Sequence, residues 1–420
     1  MQAELKRLGF QGEFSHLREK LSVAPQNLNV MRTFETLGLH HMVEALPSYK
    51  PDRAKPAGQR RRSLRGLFDE GHKSPVPFIR AAKTYHDLIA LLTTDWSQFV
   101  DSDGKVRPAV VFPGTSSYRT QQIMPHPLML PYFARPLFHA GPGNVLVELD
   151  FKAQEVGLAA DWYGDEKLLG IYNTFAKCLY CEIGAAMGVY PREPGKPADP
   201  GADRGLRETV KTSILAMQYG GAVKALTMQL NIAPERAHEI LTAFWRAFPD
   251  LQEGRRIYVD YVRGAGSAVN RAGLVRAYRP FTVRAGAAAD TTLSYLNYPV
   301  QSAGAAVLVL ALAGLPAWAN PVLSMHDAVL LEVPQDAVFE AAKAVETAMG
   351  SALHDLFPRL RCRCEVQAAW RYHKKDPGSL HGFARKFGIE LDAEVGWGYS
   401  PPTPLPTFLP PSLPSFLLPP

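Results

Sequence analysis

The spacing of hydrophobic and polar positions changes along this chain, and each change marks a predicted element. Near the N-terminus apolar residues recur at helical spacing, as in 88–99, which predicts helices. In 144–150 a short β-rich run follows a Gly-Pro-Gly breaker and ends at an acid, which predicts a strand. Helical spacing returns up to about Arg263, and strand-like runs follow at 321–333 and 360–366. This mixture predicts an α/β or α+β fold in which strands bracket a long helical insertion.

Composition favours a globular, cytoplasmic protein. The 420 residues are 46% hydrophobic and 20% charged, which is enough for a sizeable core in two or three domains. The N-terminus has no apolar segment of the signal-peptide type. The longest apolar run, 303–319, is rich in Ala and Gly and carries Pro316 near its end. We therefore expect a buried helix there and no membrane span.

The cysteines form two closely spaced pairs. Two residues separate Cys178 from Cys181, and one separates Cys362 from Cys364. Four cysteines are too few for a disulfide framework and suit a reducing compartment. The pairs could hold zinc, but no histidine cluster adjoins either of them. Buried free thiols are therefore the favoured interpretation.

The charge balance is mildly basic, with 46 Lys and Arg against 40 Asp and Glu and a net charge of +6. This permits a polyanionic partner without requiring one. The segment 51–66 concentrates cations, among them Arg60, Arg61 and Arg62, and has little apolar content. It is interpreted as an exposed basic loop, which either contacts phosphates or is merely solvated. The tail 401–420 has nine prolines and no charge, which predicts an unpacked, polyproline-like extension.

Two acids end or interrupt apolar strand-like runs. The alternation before Asp150 places apolar side chains on one face of the strand and Asp150 on the other. Asp327 lies between two apolar runs, as at the tip of a hairpin. An isolated acid at such a position is usually a turn or cap residue. Two carboxylates on neighbouring strands, however, could hold two Mg²⁺ ions about 3.5–4 Å apart, as in nucleotidyl transfer.

A third segment carries cations at helical spacing. Arg207, Lys211, Leu215 and Tyr219 recur every four positions and therefore form one stripe on a predicted helix. An Arg and a Lys one turn apart can bind phosphate oxygens, and Tyr219 offers a stacking or packing surface. The alternative is an ordinary amphipathic helix with solvated cations.

These three segments, in this order, resemble the sequence motifs of family A DNA polymerases. They are similar to motifs A, B and C, respectively: Asp150-Phe151-Lys152-Ala153-Gln154-Glu155; Arg207-x3-Lys211-x7-Tyr219-Gly220; Met325-His326-Asp327. The likeness covers about 85–372 and includes the segment from Asn297 to Gln301, which precedes an Ala-rich helix.

The resemblance implies a right-hand polymerase fold with a palm β-sheet, helical fingers and a small helical thumb. The expected divisions are a thumb, a first palm part, fingers, a second palm part and a C-terminal extension: 1–100, 101–160, 161–265, 266–372 and 373–420. A carboxylate-rich exonuclease pattern is missing from 1–140. We therefore expect a reduced, phage- or plasmid-type polymerase without intrinsic proofreading.

The resemblance also implies roles for individual residues. Asp150, Asp327 and the backbone carbonyl of Phe151 would hold two Mg²⁺ ions, and Lys211 would protonate the pyrophosphate. The incoming dNTP would be bound by Arg207, Lys211, Leu215, Tyr219, Glu155 and Phe151. Primer-template DNA would contact His326, Asn297 and Gln301, to which the basic segment adds Arg60, Arg61 and Arg62.

Four positions depart from the family pattern. Ala328 stands where motif C usually has Glu, Leu215 where motif B usually has an aromatic residue, and Gly157 where motif A often has Arg. The arginine expected in a segment along the DNA minor groove is displaced, and Arg119 is a weak candidate to replace it.

The predicted function is template-directed addition of dNTPs to a primer 3′ end by a monomer, with other replication proteins as further candidate partners. A single-subunit RNA polymerase is an alternative because it shares the two acids and the Arg-Lys-Tyr helix. Glu155 argues against it, since an acid beside the sugar would crowd a 2′-hydroxyl. A catalytically silent DNA-binding replication protein is a second alternative, which the presence of Asp150 and Asp327 disfavours.

Overall fold

The computed structural model describes these parts of the chain: 2–10, 22–23, 28–39, 62–63, 76–123, 130, 132–174, 178–188, 204–218, 223–230, 232–278 and 292–372. Tyr219, Arg60, Arg61 and the tail 401–420 lie outside these residues, as do the side chains of Arg62 and Leu215. The chain divides into two compact units, 1–107 and 108–420.

The described part of the first unit is helical around a small aromatic core, as its sequence pattern predicts. It contains α1 (Gln2–Arg7), α2 (Leu28–Thr36), α3 (Pro77–Thr93), β1 (Ser22–Val23) and β2 (Arg62–Ser63). The rings of Phe34 and Phe78 meet edge to face with centroids 5.6 Å apart. The two short strands pair antiparallel, so the segment predicted as a basic loop has strand structure at 62–63.

The helix predicted over 88–99 ends earlier than expected, at Thr93. The Thr94 hydroxyl donates to Ala90 O at 2.8 Å, and Trp96 Nε1 donates to Leu91 O at 2.7 Å. These side chains satisfy carbonyls that another helical turn would have used. Phe99 consequently lies in a separate 3₁₀ turn.

Residues 101–107 belong to the first compact unit. Val100 and Val106 form an isolated antiparallel bridge, and Arg107 Nη2 lies 2.7 Å from Asp103 Oδ2. These contacts close a small hairpin at 100–107.

The second unit is built on a four-stranded antiparallel sheet in the order β10-β5-β9-β8. These strands are β5 (Asn144–Phe151), β8 (Pro321–Met325), β9 (Ala328–Pro334) and β10 (Cys364–Ala369). They confirm the strand predicted at 144–150 and the hairpin predicted at 321–333, whereas the last strand begins later than 360. On β5, Val145, Val147 and Leu149 are fully buried in the main core. The opposite face of the strand carries Asp150.

Most of the described residues between β5 and β8 are helical, as the pattern predicts. The described helices of this unit are α4 (Gln154–Tyr163), α5 (Glu166–Tyr172), α6 (Leu179–Ala186), α7 (Arg204–Gln218), α8 (Val223–Leu230), α9 (Pro234–Ala247), α10 (Pro249–Ala265), α11 (Thr292–Ala313) and α12 (Val338–Leu356). Two short strand pairs were not predicted: β3 (Ala109–Val111) with β4 (Gln121–Ile123), and β6 (Ser267–Val269) with β7 (Val275–Ala277).

The apolar run at 303–319 forms the second half of α11, which ends at Ala313, before Pro316. Within the described residues, α11 is the one helix long and apolar enough to meet the length and composition of a membrane span. It packs against α4 and α12, and 61% of its most apolar window is buried within the protein. The structure therefore has a core helix at the position where the sequence predicts one.

Two glycines allow α4 to pack closely against its neighbours. A Cβ on Gly254 of α10 would lie 2.0 Å from the carbonyl oxygen of Tyr163. A Cβ on Gly157 would lie 2.6 Å from the ring of Tyr172. Both separations are far below van der Waals contact, so these positions require glycine. Asp150 lies shortly before α4, and Glu155 lies in its first turn. The close packing of α4 therefore helps to fix the positions of these two acids.

Candidate active site

The two predicted metal-binding acids lie side by side at one end of the sheet. Asp150 is the penultimate residue of β5 and is opposite Ala328 in the register with β9. Asp327 occupies the turn between β8 and β9, and its backbone carbonyl accepts a hydrogen bond from Phe151 N at 3.2 Å. This turn holds His326 at φ 53° with its side chain exposed. A non-glycine residue in this region is uncommon and marks a constrained turn.

A reversal of the backbone after β5 brings Glu155 to the same place. Ala153 adopts the left-handed conformation, with φ 50°, and α4 begins at the next residue. Glu155 therefore lies in the first helical turn, where the helix dipole stabilises a carboxylate. Its carboxylate forms an ion pair with Arg119 Nη2, and both side chains are largely buried.

The predicted triphosphate-binding cations stand on α7, above the start of α6. The Arg207 guanidinium lies 5.3 Å from the centroid of the Tyr180 ring, and Lys211 Nζ lies 5.9 Å from it. Arg207 Nη1 is also 2.7 Å from the Glu208 carboxylate. Burial raises the pKa of Tyr180 to about 12, so the ring stays neutral and presents an attractive face to both cations.

These groups line one cavity of about 580 Å³. From the predicted set it is lined by Asp150, Phe151, Glu155, Arg207, Lys211 and Asp327. Lys152, Cys178, Tyr180, Arg363 and Glu365 complete much of the wall. Residues from β5, α4, α7 and the β8–β9 turn, distant in the sequence, thus converge on one cavity. Asp150 and Asp327 lie on its sheet side, and Arg207 and Lys211 lie on α7.

Asn297 and Gln301 lie close to this cavity without lining it. Both are half-buried on α11, one helical turn apart, and line a narrow cleft together with Glu155 and Arg255. Glu155 is therefore shared between the cleft and the larger cavity. Burial lowers the pKa of Arg255, whose guanidinium donates to Met217 O at 3.2 Å.

Several residues of the site carry no signal in the sequence. Tyr180, Arg363 and Glu365 belong to no motif. Glu365 is nevertheless the register partner of Asp150 on β10, and Arg363 stacks over the Tyr172 ring with 5.8 Å to its centroid. The sequence suggests only a minor-groove contact for Arg119, whereas the structure pairs this residue with Glu155. Pairings between strands and helices far apart in sequence create all of these positions.

The structure explains two departures from the family pattern. Ala328 is fully buried in a cluster with Leu323, Met325 and Tyr372, a place that would desolvate a glutamate without pairing it. Gly157 is occluded by the Tyr172 ring, so no arginine fits there without rearrangement.

The chemistry of the donors suits magnesium better than zinc. Among the described residues no three His, Cys, Asp or Glu side chains form a group that could hold a metal, so the zinc alternative has no support there. Mg²⁺ is usually held by one or two protein carboxylates together with substrate phosphates and water. Asp150 and Asp327, in one cavity with the cations predicted to bind phosphate, fit that pattern.

Comparison with a solved structure defines the class of fold. The POL domain of Pol1 from M. smegmatis, in a complex with DNA primer-template and dNTP, matches with a TM-score of 0.63 and 20% sequence identity. The match covers 88% of this chain and 66% of that one. The fold is therefore that of a polymerase domain, an α/β right-hand fold, as the sequence predicts.

Sequence comparison identifies the family. Residues 120–372 match the family described as DNA polymerase family A, and the chain belongs to that family. DNA polymerase I of Mycobacterium tuberculosis is 25% identical over 350 residues, 78% of this chain and 36% of that protein. The thermostable DNA polymerase I of Thermus aquaticus is 27% identical over 241 residues, and the DNA polymerase of Mycobacterium phage D29 is 25% identical over 222. These matches cover 53% and 52% of this chain but only 26% and 34% of the two relatives.

Proposed function

We propose that this chain is a template-directed DNA polymerase that adds dNTPs to a primer 3′ end and has no intrinsic proofreading. One observation carries the proposal: two carboxylates from adjacent strands and two cations from one helix line the same cavity in a member of DNA polymerase family A. Primer-template DNA and dNTPs are bound by the structural relative, and the proposal extends that binding to this chain.

Each group in the cavity has a role in this reaction. Asp150 and Asp327, with the backbone carbonyl of Phe151, would hold two Mg²⁺ ions. When bound, the metal ions lower the pKa of the primer hydroxyl and stabilise the charge of the leaving pyrophosphate. Arg207 and Lys211 bind the triphosphate oxygens and orient the α-phosphate, and Lys211 donates a proton to the pyrophosphate as it leaves.

Primer extension tests the proposal directly. Wild type should extend a primer with dNTPs and Mg²⁺, whereas Asp150→Asn and Asp327→Asn should each lose activity by about three orders of magnitude or more, because electrostatic support of phosphoryl transfer is of that size. Affinity for duplex DNA should stay nearly unchanged, since cations that contact phosphates dominate it. Asp336→Asn, an exposed acid just beyond the other end of β9, is the matched control and should remain active.

The same assay separates the alternatives. Preferential extension with rNTPs would support the RNA polymerase, and metal-independent DNA binding without extension would support the silent DNA-binding protein. Retained activity in either aspartate variant would remove the metal assignment. A primer with a mismatched 3′ end should not be trimmed, and trimming by the purified chain would contradict the proposed lack of proofreading.

A further inference from the structure

The Cys178–Cys181 pair lies at the start of α6, beside the cations of the cavity. Cys178 caps this helix and is partly exposed in the cavity wall. Cys181 is fully buried three residues later, in the first helical turn. Side chains three residues apart at a helix start lie on the same face, and two thiols in a Cys-x-x-Cys arrangement at a helix N-terminus are typical of reactive dithiols.

The surroundings of Cys178 favour its thiolate. Burial would raise the pKa of this thiol, but the amide and thiol of Cys181 and the guanidinium of Arg207 stabilise the thiolate and lower the pKa overall. The same contact raises the pKa of Arg207 despite its partial burial. Cys178 and Arg207 also line the same cavity, so the thiol lies beside a residue assigned to the triphosphate. Since the thiolate is the nucleophilic form of cysteine, Cys178 is the activated member of the pair.

The second cysteine pair provides an internal contrast. The Sγ atoms of Cys362 and Cys364 lie 3.4 Å apart. Hydrogen bonding to Cys362 and burial nevertheless raise the pKa of Cys364 well above its usual value. At Cys178, in contrast, the Arg207 guanidinium is among the groups that lower the pKa of the thiol.

We propose that Cys178 and Cys181 form a peroxide-sensitive dithiol whose oxidation weakens dNTP binding, an inference that rests on the proposed polymerase function. The Cys178 sulfur attacks one oxygen of hydrogen peroxide, the O–O bond breaks, and hydroxide leaves to give a sulfenic acid. The Cys181 sulfur then attacks Cys178, the S–O bond breaks as the S–S bond forms, and the Cys181 proton leaves in water. The two thiols lose two electrons, which the peroxide gains.

Oxidation removes one of the interactions that hold the Arg207 side chain in place. In the disulfide the Cys178 sulfur carries no negative charge and is drawn towards Cys181, so Arg207 loses a charge-assisted hydrogen bond. Its remaining carboxylate partner is Glu208, which is exposed. The turn that closes also contains Tyr180, whose ring lies beneath both Arg207 and Lys211. Both effects disturb the arrangement of the cations before the nucleotide arrives, and the KM for dNTP should rise.

The experiment uses the full chain, reduced or treated with hydrogen peroxide and then blocked with N-ethylmaleimide. Peptide mapping by mass spectrometry should find a Cys178–Cys181 disulfide, with Cys362 and Cys364 alkylated. The KM for dNTP should rise roughly fivefold to tenfold, which corresponds to about 1–1.4 kcal/mol of lost binding free energy. The kcat at saturating dNTP and the Kd for primer-template should change little, and dithiothreitol should reverse the effect.

Variants sharpen the outcome. Cys181→Ser should extend primers normally when reduced, and peroxide should add oxygen to its Cys178 without forming a disulfide. The Cys362→Ser/Cys364→Ser variant should respond to peroxide as wild type does. The proposal is overturned if the disulfide joins Cys362 and Cys364, if the Cys178–Cys181 disulfide leaves the KM unchanged, or if Cys178→Ser/Cys181→Ser keeps the full response. Thiol mapping needs no polymerase activity, so failure of the reduced protein to extend a primer would overturn the proposed function separately.

Discussion

At the scale of single residues, charges in the site are placed by partners from remote segments. Glu155 is paired with Arg119, and Lys152 Nζ lies 3.6 Å from Glu365, in an exposed pair at the cavity edge. The first pair is largely buried and fixes the position of a carboxylate, whereas the second is solvated and contributes little to stability. Arg119 thereby becomes a positioning residue for Glu155.

Sugar selection tests this arrangement. Glu155→Ala should raise incorporation of rNTPs relative to dNTPs at least tenfold, or about 1.4 kcal/mol of lost discrimination, because the carboxylate no longer crowds a 2′-hydroxyl. Arg119→Gln should act in the same direction but less strongly, since Glu155 remains while its orientation is lost. Competition between rNTPs and dNTPs in primer extension measures both effects.

Glu365→Gln is the control for that experiment, because it removes a carboxylate from the same cavity on the other side of Asp150. Its sugar selectivity should match that of wild type. An unchanged selectivity in Glu155→Ala, or a wild type that already prefers rNTPs, would favour the RNA polymerase alternative.

At the scale of elements, the close packing of α4 against α10 depends on one glycine. Gly254→Ala should destabilise the protein by about 1–3 kcal/mol, the cost of overpacking, because its Cβ would lie 2.0 Å from the Tyr163 carbonyl. Gly264→Ala is the matched control on the same helix, where a Cβ meets nothing within 4 Å. It should be neutral or stabilising, since alanine is the better helix former. Urea unfolding midpoints measure both, and equal effects would contradict the role of close approach.

A buried ion pair ties α4 to the turn after β6. Asp161 Oδ2 lies 2.8 Å from Arg271 Nη2, and Asp161 Oδ1 lies 3.7 Å from Arg359 Nε. Burial raises the pKa of Asp161 despite these cations, and burial lowers the pKa of Arg271. An acid with a raised pKa in the folded state contributes most to stability when protonated, and this contribution is lost as pH rises through the folded pKa.

Removal of Arg271 should therefore be pH-dependent. Arg271→Met should cost about 3–5 kcal/mol at neutral pH, because it leaves a buried carboxylate without its main partner. The cost should shrink as pH falls, because burial raises the pKa of Asp161 and the carboxylate then takes up a proton more readily. Adding Asp161→Asn should abolish this pH dependence. Urea unfolding at several pH values measures the difference, and a constant loss from pH 4 to pH 7 would show that packing of Arg271 on Trp162 and Phe357 dominates instead.

At the scale of the whole molecule, the net charge of +6 makes salt dependence the natural measure of DNA binding. Replacing Arg60, Arg61 and Arg62 by Gln should reduce the slope of log affinity against log salt by about 0.9 for each DNA phosphate that the variant no longer neutralises. These side chains lie outside the described residues, so the role remains a prediction from sequence. Neutralising Arg236, Arg256 and Arg263 is the control, since each is paired with an acid on its own helix. Equal slopes in both variants would make the basic segment a solvated charge run.

The sequence by itself determined the class of fold, the family and the main strands and helices around the site. Alternation on β5, the two acids and the cation stripe on α7 are local patterns set by strand and helix periods. They predicted Asp150, Asp327, Arg207 and Lys211, which all line the cavity. The end of α3 was predicted wrongly because side-chain capping by Thr94 and Trp96 competes with helical spacing.

Only the tertiary structure decided which distant groups meet. Strand register sets Glu365 opposite Asp150, and the fold carries Arg119 to Glu155. Helix packing lays Tyr180 beneath Arg207 and brings Cys178 into the wall of the same cavity. None of these pairs has a fixed spacing in the chain, because their separation is spanned by whole elements whose packing depends on core shape. The buried surroundings that require Ala328 and Gly157 arise in the same way. The periods of helices and strands can be predicted from the sequence, whereas contacts between elements depend on how their buried faces fit together.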